Sequence, residues 1–516
     1  MAFARLFDVT EPPRTLTGAK LWIAGVVLAL ANFIVVLDTT IANVSVPHIA
    51  GGLAVSVSSG TWVITSYAVA EAICVPLTGW LAQRFGTLRT FMFSLVGFGI
   101  FSVLCGLSTS LGMLVVFRIG QGFCGGPLMP LTQTLLLRIF PKEQHSKAMA
   151  LWGMTVVVGP ILGPILGGWI SDDWRWEGIF FINVPIIMVI FFGVVTMLRG
   201  VETATQKRPI DGVGLALLIL WVGAFQIMLD KGREEDWFAS GFIVSCAVAA
   251  AIFFALFVIW ELTQRDAIVN LKVFRHKGFS AASLSLVLAF GTYFASVVVI
   301  PQWLQTSLGY TATNAGYVMA FSGVLAVMMS PLVPALMKRF DPRLLVFVGV
   351  SWIAGCSALR ALWWSTDATF WTLALPQLLQ GAGVSLFMVP LTTISLGSVD
   401  PDETASAAGL ANFGRTLASA IATAMVTTYW SNQARSDTAQ MAGELNGAPE
   451  LMTRMQERGF SVEQSRGAIE QLVTQQGMAV GTLHLFLVAA VILVLAASAI
   501  WLAPRPTRAA APGAPH

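Results

Sequence analysis

Long apolar stretches alternate with short polar ones along the whole chain. Fourteen of these stretches are each roughly 20 residues or more, the length that a helix needs to cross about 30 Å of hydrocarbon. The pattern therefore predicts an all-α integral membrane protein with fourteen spans. They lie near residues 21–44, 59–81, 88–107, 111–137, 146–170, 178–198, 211–230, 240–260, 278–304, 312–338, 343–363, 368–396, 404–430 and 480–502.

Arginine and lysine are concentrated in alternate connections between the spans. They occur at both ends of the chain and after spans 2, 4, 6, 8 and 10, whereas the connections 1–2, 3–4 and 9–10 contain none. Because cytoplasmic loops of membrane proteins have an excess of basic residues, we expect both termini to be cytoplasmic. Residues 1–20 and 503–516 are then cytoplasmic tails.

Composition supports the same class and excludes several others. The chain is 56% hydrophobic and only 11% charged, whereas a soluble domain has about 25% charged residues. The five cysteines are odd in number and include no C-x-x-C pair, so neither a disulfide framework nor a metal site is indicated. There is no phosphate-binding G-x-x-x-x-G-K-[ST] loop, so we expect no ATPase activity. The sequence contains no cluster of nucleophile, base and metal ligands, so we expect neither an enzyme nor a cofactor.

A weak internal repeat indicates two related halves. QGFCGGPLMPL (121–131) resembles QGAGVSLFMVPL (380–391), and GWLAQRFG (79–86) resembles PALMKRFD (334–341), at offsets of 259 and 255 residues. Spans 2 and 4 therefore match spans 10 and 12 in the same membrane direction, as in parallel two-half carriers. We predict two six-helix bundles with two extra helices between them, over residues 21–198, 278–502 and 211–260.

One connection, residues 431–479, is long and polar and is predicted to be an external loop. Its scattered Met, Leu and Val among Gln, Glu and Arg fit short amphipathic helices. Two explanations remain open: a solvated connector, or a docking surface for an external partner.

Span 5 contains a repeated pattern of small residues. Glycine recurs every four residues, about one helical turn, so one face of the helix lacks side chains and another helix can approach closely. Two prolines interrupt the backbone hydrogen bonding of the same segment. The pattern predicts a packed, bendable helix at a moving interface, formed by Gly159, Pro160, Gly163, Pro164, Gly167 and Gly168.

Few ionisable residues lie within the predicted spans, and such residues are usually functional. Asp38 in span 1 and Arg118 in span 4 lie at ~9 Å and ~10 Å from the outer ends of their spans, so they can pair. Protonation of Asp38 would release that pair and exchange a proton for a conformational change; the alternative is a permanent brace. Arg415 lies in span 13, and Arg360, near the outer end of span 11, is expected to extend towards the membrane surface.

Glu71 in span 2 lies ~18 Å from the outer end, close to the membrane midplane. A carboxylate at this depth can bind a proton or face a cationic substrate, or it can simply bond to a neighbouring helix. None of the five histidines lies in mid-membrane. Proton chemistry must therefore use carboxylates.

Several motifs in order resemble the major facilitator superfamily, and more narrowly the fourteen-helix drug:proton antiporters of the EmrB type. The residues that show this resemblance are LDTTIANVSVP (37–47), GWLAQRFGTLRT (79–90), FRIGQGFCGGP (117–127), the span 5 glycines, WRWEGIFFINVP (174–185) and ANFGRTLASAIATA (411–424). The long segment before the last span is a further similarity.

The resemblance implies export of varied, mostly hydrophobic compounds from a bacterial inner membrane, driven by inward proton flow. It also implies a periplasmic membrane-fusion adaptor and an outer-membrane channel as partners, and no nucleic acid. Family roles would place the acid at Asp38, its buried partner at Arg118 and the alternation between states in span 5. The superfamily motif of the 2–3 connection corresponds to Gly79, Arg84, Gly86 and Arg89.

Three positions depart from the family pattern. Gln83 replaces an acidic residue of the 2–3 motif, which argues against an ionic latch at that point. Gln377 is the second-half equivalent of Arg118, so coupling is expected to be confined to the first half. Glu71 replaces an uncharged polar residue and is a candidate for selecting cationic substrates.

Two other functions are compatible with these residues. One is a dedicated exporter of a single metabolite such as a fatty acid, a siderophore or an antibiotic, which the motifs do not distinguish from a multidrug exporter. The other is a membrane sensor or scaffold that no longer transports; the presence of Asp38, Arg118 and the span 5 glycines argues against it.

Overall fold

The described part of the chain consists of helices joined by short connections. The structure, a computed structural model, describes residues 16–198, 200–206, 209–264, 267–444 and 448–504. The first six long helices are α1 (Gly18–Gly52), α2 (Trp62–Phe85), α3 (Thr87–Gly106), α4 (Leu111–Ile139), α5 (His145–Asp173) and α6 (Gly178–Met197). Two further helices follow, α7 (Gly212–Lys231) and α8 (Gly241–Thr263).

The second set of helices begins with α9 (Lys277–Leu308). The next helix, α10, has two parts bent by 50° relative to each other. The remaining bounds are α10 (Ala312–Met329 and Val333–Arg339), α11 (Pro342–Trp363), α12 (Phe370–Gly397), α13 (Thr404–Glu444), a separate short helix Ala448–Glu457, and α14 (Val462–Ala499).

Thirteen of the fourteen predicted spans correspond to helices that meet a simple test of length and hydropathy. Within the described residues, twelve helices are long and apolar enough to cross a membrane, and the bent α10 pair makes thirteen. The predicted span 404–430 lies in α13, which is not among them, because Asn412, Arg415 and several small residues lower its hydropathy. Nevertheless α13 packs lengthwise between α2, α9 and α14. The described residues form helices and no strands, as the apolar pattern predicts.

The two six-helix sets meet along four pairs of helices. These pairs are α2 with α13, α4 with α13, α5 with α10, and α5 with α12. A shift of eight helices converts the first pair into the third and the second pair into the fourth. The interface therefore has the two-fold pseudosymmetry that a parallel repeat produces.

The two inserted helices pack at the edge of this interface. α7 pairs with α8 and also contacts α2 and α13. Trp221 of α7 forms edge contacts with Phe254 of α8 and Phe413 of α13. At the other end Asp211 caps α7, accepting hydrogen bonds from Gly214 N at 2.9 Å and Trp260 Nε1 at 2.8 Å.

The segment 431–479 differs from the expected loop. α13 continues as one helix to Glu444, and α14 begins at Val462, so most of the segment extends two membrane helices. Ser461 and Gln464 form a capping box that starts α14. Of the expected short helices, the described residues contain only Ala448–Glu457.

Candidate functional site

The structure brings Asp38 and Arg118 into direct contact. Arg118 Nη1 lies 2.6 Å from Asp38 Oδ2, and the two side chains are 0% and 1% exposed. The matched depth in α1 and α4 therefore corresponds to a real pair. Its full burial means that the two charges compensate each other with little help from solvent.

Two amide side chains complete the environment of Asp38. Gln121 Nε2 donates to Asp38 Oδ1 at 2.9 Å, and Asn183 Nδ2 donates to the same oxygen at 2.7 Å. Arg118 also donates to Gln121 Oε1 at 2.8 Å and to the Val63 carbonyl at 3.1 Å. Sequence reasoning missed Gln121 and Asn183, although both lie in quoted motifs. The signal in the sequence was that each is a polar amide residue within an otherwise apolar span.

A further hydrogen-bonded chain connects this site to α3. Asn183 Nδ2 donates to Ser102 Oγ at 2.9 Å, and Ser102 donates to the Phe180 carbonyl at 2.8 Å. The Tyr67 ring lies 4.1 Å from the Arg118 guanidinium. Because all of these side chains are buried, water and protons can reach Asp38 only after the helices move.

Glu71 is buried without a hydrogen-bonding partner. It is 8% exposed, and the described residues provide it with neither a hydrogen bond nor an ion pair. Its main electrostatic partner is Arg415, followed by Arg118. The depth of Glu71 near the membrane midplane stays a prediction. A carboxylate without a hydrogen bond at this position can accept a proton or a cationic group.

Arg415 lies where helices of both halves meet. Its Nη2 donates to Met129 Sδ of α4 at 2.9 Å, and its guanidinium lies 5.2 Å from the Trp152 ring of α5 and 5.4 Å from the Phe290 ring of α9. Nearby, Asn412 Nδ2 donates to Gln133 Oε1 across the same interface at 2.7 Å. Together with Glu71, these residues form a polar patch in an otherwise apolar interface.

The expectation that Arg360 extends to the membrane surface is wrong. Its side chain is 0% exposed, because the outer part of α11 is enclosed by Trp364 and by Phe486 of α14, each ring 5.7 Å from the guanidinium. Arg360 Nη2 donates to Gln377 Oε1 at 2.9 Å and also to Gln380 Oε1.

The glycine stripe of α5 faces α1, as its spacing predicts. A Cβ on Gly159 would lie 2.5 Å from Val36 Cγ1, one on Gly163 would overlap Thr40, and one on Gly167 would lie 3.1 Å from the Ile41 carbonyl oxygen. A Cβ on Gly168 would have no neighbour within 4 Å. Despite Pro160 and Pro164, α5 is a continuous helix. Three of the four glycines thus permit close approach to the helix that contains Asp38.

The opposite side of α5 contacts the second half. Ile161 packs against Gly323 and Ile165 against Gly316, both on α10. At the inner end, Ser330 donates to the Ala150 carbonyl at 3.1 Å. α5 therefore connects the helix of Asp38 with the interface between the halves.

The 2–3 motif is completed by an acid that the sequence analysis missed. Gly86 has a φ of +97°, and a Cβ there would lie 2.6 Å from the Glu202 carboxylate. Glu202 is buried and accepts hydrogen bonds from Leu88 N and Arg89 N, both at 3.0 Å. It caps the start of α3, where the helix dipole favours negative charge. The only signal was an acidic residue in the segment after α6.

The remaining motif residues contact the second half or nearby aromatic rings. Gly79 lies against Ser406 of α13, since a Cβ there would be 2.7 Å from Ser406 Cα. Gln83 Nε2 donates to the Asp402 carbonyl at 3.5 Å, an uncharged contact between the halves. The Arg84 guanidinium lies 5.4 Å from the Trp80 ring.

One group within the described residues has metal-ligand spacing. His276, Asp400 and Glu403 lie close together at the connections that precede α9 and α13. Arg275 Nη2 lies 3.2 Å from both Asp400 and Glu403. An arginine in this position supplies the positive charge, so the group is an ion-pair network that joins two connections.

Comparison with known proteins gives consistent matches over most of the chain. The profile of the Major Facilitator Superfamily matches residues 28–423. The chain is 43% identical over 500 residues to the multidrug export protein EmrB of Escherichia coli strain K12, covering 96% of this chain and 98% of that protein. It is 41% identical to the fatty acid resistance protein FarB of Neisseria gonorrhoeae, over 96% and 98% of the two chains.

Solved structures with low sequence identity have the same fold. The proton:xylose symporter XylE bound to 6-bromo-6-deoxy-D-glucose aligns with a TM-score of 0.56 at 14% identity, over 94% of this chain and 95% of that chain. The human organic anion transporter MFSD10 aligns with a TM-score of 0.55 at 14% identity, over 92% and 100%. At such identity the likeness concerns the fold alone.

Proposed function

Because this chain belongs to the major facilitator superfamily, and within it to the EmrB-type exporters, we propose that it is a proton-coupled antiporter of hydrophobic or cationic toxic compounds. It would move them out of the cytoplasm or the inner membrane. Transport of small molecules, rather than catalysis, is what its relatives share. The proton coupling, the type of substrate and the partners are the parts that require testing.

The buried Asp38 site is the single observation that most supports proton coupling. Asp38 is the only member of its network that can lose its charge by binding a proton, since Arg118 remains protonated. Protonation would replace the contact at 2.6 Å between two charges with a weaker one. The free energy of that pair is then available to shift the balance between two conformations.

The packing of α5 provides a route from this site to the interface. Asp38 lies on α1 between Val36 and Thr40, the residues that face the glycine stripe. A small displacement of α1 must be matched by α5, because their backbones are in close contact. α5 in turn packs against α10 and α12. Protonation of Asp38 would thereby change how the two halves fit together.

Glu71 is the proposed determinant of substrate charge. It is buried in the interface region with Arg415 as its main electrostatic partner. A cationic substrate can replace Arg415 as the counter-charge of Glu71, while the aromatic rings around Arg415 offer apolar contact. A neutral compound gains only the apolar part of this interaction.

The basic connections support the proposal that both termini lie in the cytoplasm. The proposed location is the bacterial inner membrane, as the resemblance to EmrB-type exporters implies. The proposed partners are a periplasmic adaptor and an outer-membrane channel. The extended ends of α13 and α14 with the helix Ala448–Glu457 are the proposed docking surface. A variant lacking residues 431–479 should retain insertion but lose adaptor capture. If that variant still forms the complex and still exports, the segment is a solvated connector and not a docking surface.

Dye efflux from energised vesicles tests the central proposal. Wild type and Asp38→Asn are compared with and without a proton uncoupler, and Asp367→Asn, an exposed carboxylate, is the matched control. Efflux should collapse with the uncoupler and in Asp38→Asn, at equal membrane insertion, but not in Asp367→Asn. If Asp38→Asn exports dye at the wild-type rate, the Asp38–Arg118 pair is only a structural contact between helices. Glu71 is then the next carboxylate to test.

A dedicated exporter of one metabolite is the second candidate. The similarity to a fatty acid resistance protein favours a fatty acid as that metabolite. A panel of unrelated toxic compounds distinguishes the two functions. Protection against only one compound would replace the multidrug proposal with the dedicated exporter.

A further inference from the structure

The second half contains a buried arginine in the layer that corresponds to the Asp38 site. The 259-residue offset of the repeat places Gln380 at the position of Gln121. The 255-residue offset places Arg360 at the position of Cys105. The contacts agree with this correspondence: Cys105 Sγ approaches Gln121 Oε1 at 3.6 Å, and Arg360 donates to Gln380 Oε1.

The charges of the two layers are different. In the first half Arg118 is paired with Asp38. In the second half the same offsets place Gln377 at the position of Arg118 and Tyr293 at the position of Asp38. The arginine is retained but has moved from the fourth helix of its half to the third, and the acid is absent.

Arg360 consequently has no negative partner in the described part of the protein. None of the carboxylates that the structure describes lies within 4.0 Å of its guanidinium, and its Nε and Nη1 donate no hydrogen bond. The ionisable groups that interact with it are Cys356 and Tyr293, which are neutral at physiological pH. Arg118 and Arg415, by contrast, interact with Asp38 and Glu71.

An unpaired charge is unfavourable at this depth. Arginine does not deprotonate in proteins, and a buried charge requires a partner of opposite sign or a set of good hydrogen bonds. Two glutamine oxygens and two aromatic rings at 5.7 Å offer only partial compensation. A bound anion would supply the missing negative charge.

We propose that Arg360, Gln377 and Gln380 form a binding site for one small monovalent anion, such as chloride. The anion accepts from the two unpaired nitrogens of Arg360 and supplies the negative charge that Asp38 supplies in the first half. Arg360 and its two glutamines are all at most 1% exposed, so the site suits a compact ion rather than a bulky organic acid. Anion binding at this site does not depend on proton coupling.

Thermal unfolding of the purified full-length protein in detergent tests this site. Sodium chloride is titrated against sodium gluconate, so that the ionic strength and the cation stay constant while a compact anion replaces a bulky one. Wild-type Tm should rise with the logarithm of the chloride concentration, as for a ligand that binds only the folded state. Arg360→Gln should lose this rise, whereas Arg415→Gln should retain it.

A second variant keeps the test decisive if Arg360→Gln does not fold. Gln377→Glu places a carboxylate beside Arg360 with almost no change in volume. In gluconate its Tm should reach or exceed that of wild type in chloride, and added chloride should no longer raise it. No chloride response in wild type, or the full wild-type response in either Arg360→Gln or Gln377→Glu, would overturn the proposal.

Discussion

Gly163→Ala tests the close approach of α1 and α5. A Cβ at this position would lie 2.5 Å from Thr40 Cβ and 3.1 Å from the Thr40 carbonyl carbon. Thr40 cannot easily turn away, because its hydroxyl donates to Val36 O at 2.9 Å and to Gly159 O at 3.3 Å. The helices must therefore separate by a few tenths of an ångström or lose these bonds.

The size of the effect follows from general values for overpacking. Adding a methylene to a well-packed core costs about 1–3 kcal/mol, whereas glycine to alanine within a helix contributes a gain of about 0.5–1 kcal/mol. A bias of about 1–3 kcal/mol between two conformations changes their ratio roughly 5–150-fold. We expect Gly163→Ala to lower efflux within that range and to lower Tm slightly.

Gly168→Ala is the matched control on the same helix. The added Cβ has no neighbour within 4 Å, so efflux should remain at the wild-type level and Tm should rise slightly. Thr40→Gly combined with Gly163→Ala removes the overlap and should restore efflux. Efflux rates are measured in energised vesicles and Tm in detergent. Equal behaviour of Gly163→Ala and Gly168→Ala would refute the reasoning about close helix approach.

Three further substitutions test other parts of the site. Glu71→Gln should reduce efflux of cationic dyes more than that of neutral dyes of similar size; equal reduction would exclude a role in charge selection. Asn183→Ala removes a hydrogen-bond donor to the Asp38 carboxylate, an interaction of about 1.5–3 kcal/mol. Efflux should therefore slow roughly tenfold or more. An unchanged efflux rate would show that transport does not need this hydrogen bond. Glu202→Gln weakens the cap of α3 and should lower the free energy of unfolding by about 0.5–2 kcal/mol, which is measured as a lower Tm. The control Glu143→Gln, on the exposed surface, should leave Tm unchanged. Equal Tm values for the two variants would contradict the capping role of Glu202.

The membrane architecture could be predicted from the sequence because the thickness of the bilayer determines it. A helix must be about 20 apolar residues long to cross the hydrocarbon, and this requirement is visible in the order of the residues alone. The helix α13 is less apolar than the other thirteen spans, and it contains Asn412 and Arg415. These residues face other helices rather than lipid, a distinction that a hydropathy pattern does not contain.

Part of the candidate site could also be predicted from local sequence patterns. The depths of Asp38 and Arg118 follow from the helical rise, and the structure brings the two together at 2.6 Å. The glycine stripe of α5 follows from the four-residue spacing, and three of its glycines face α1. In both cases the distance along one helix determines the position of the residue.

The other members of the site depend on which helices are neighbours. Asn183 reaches Asp38 from a helix 145 residues away along the chain, and Glu202 reaches the 2–3 motif from the segment after α6. Arg360 was expected at the membrane surface but is enclosed by α12 and α14. Residue order determined where each side chain lies along its own helix. The tertiary packing alone decided which charges found partners, because pairing at short range depends on contacts between helices that are distant in sequence.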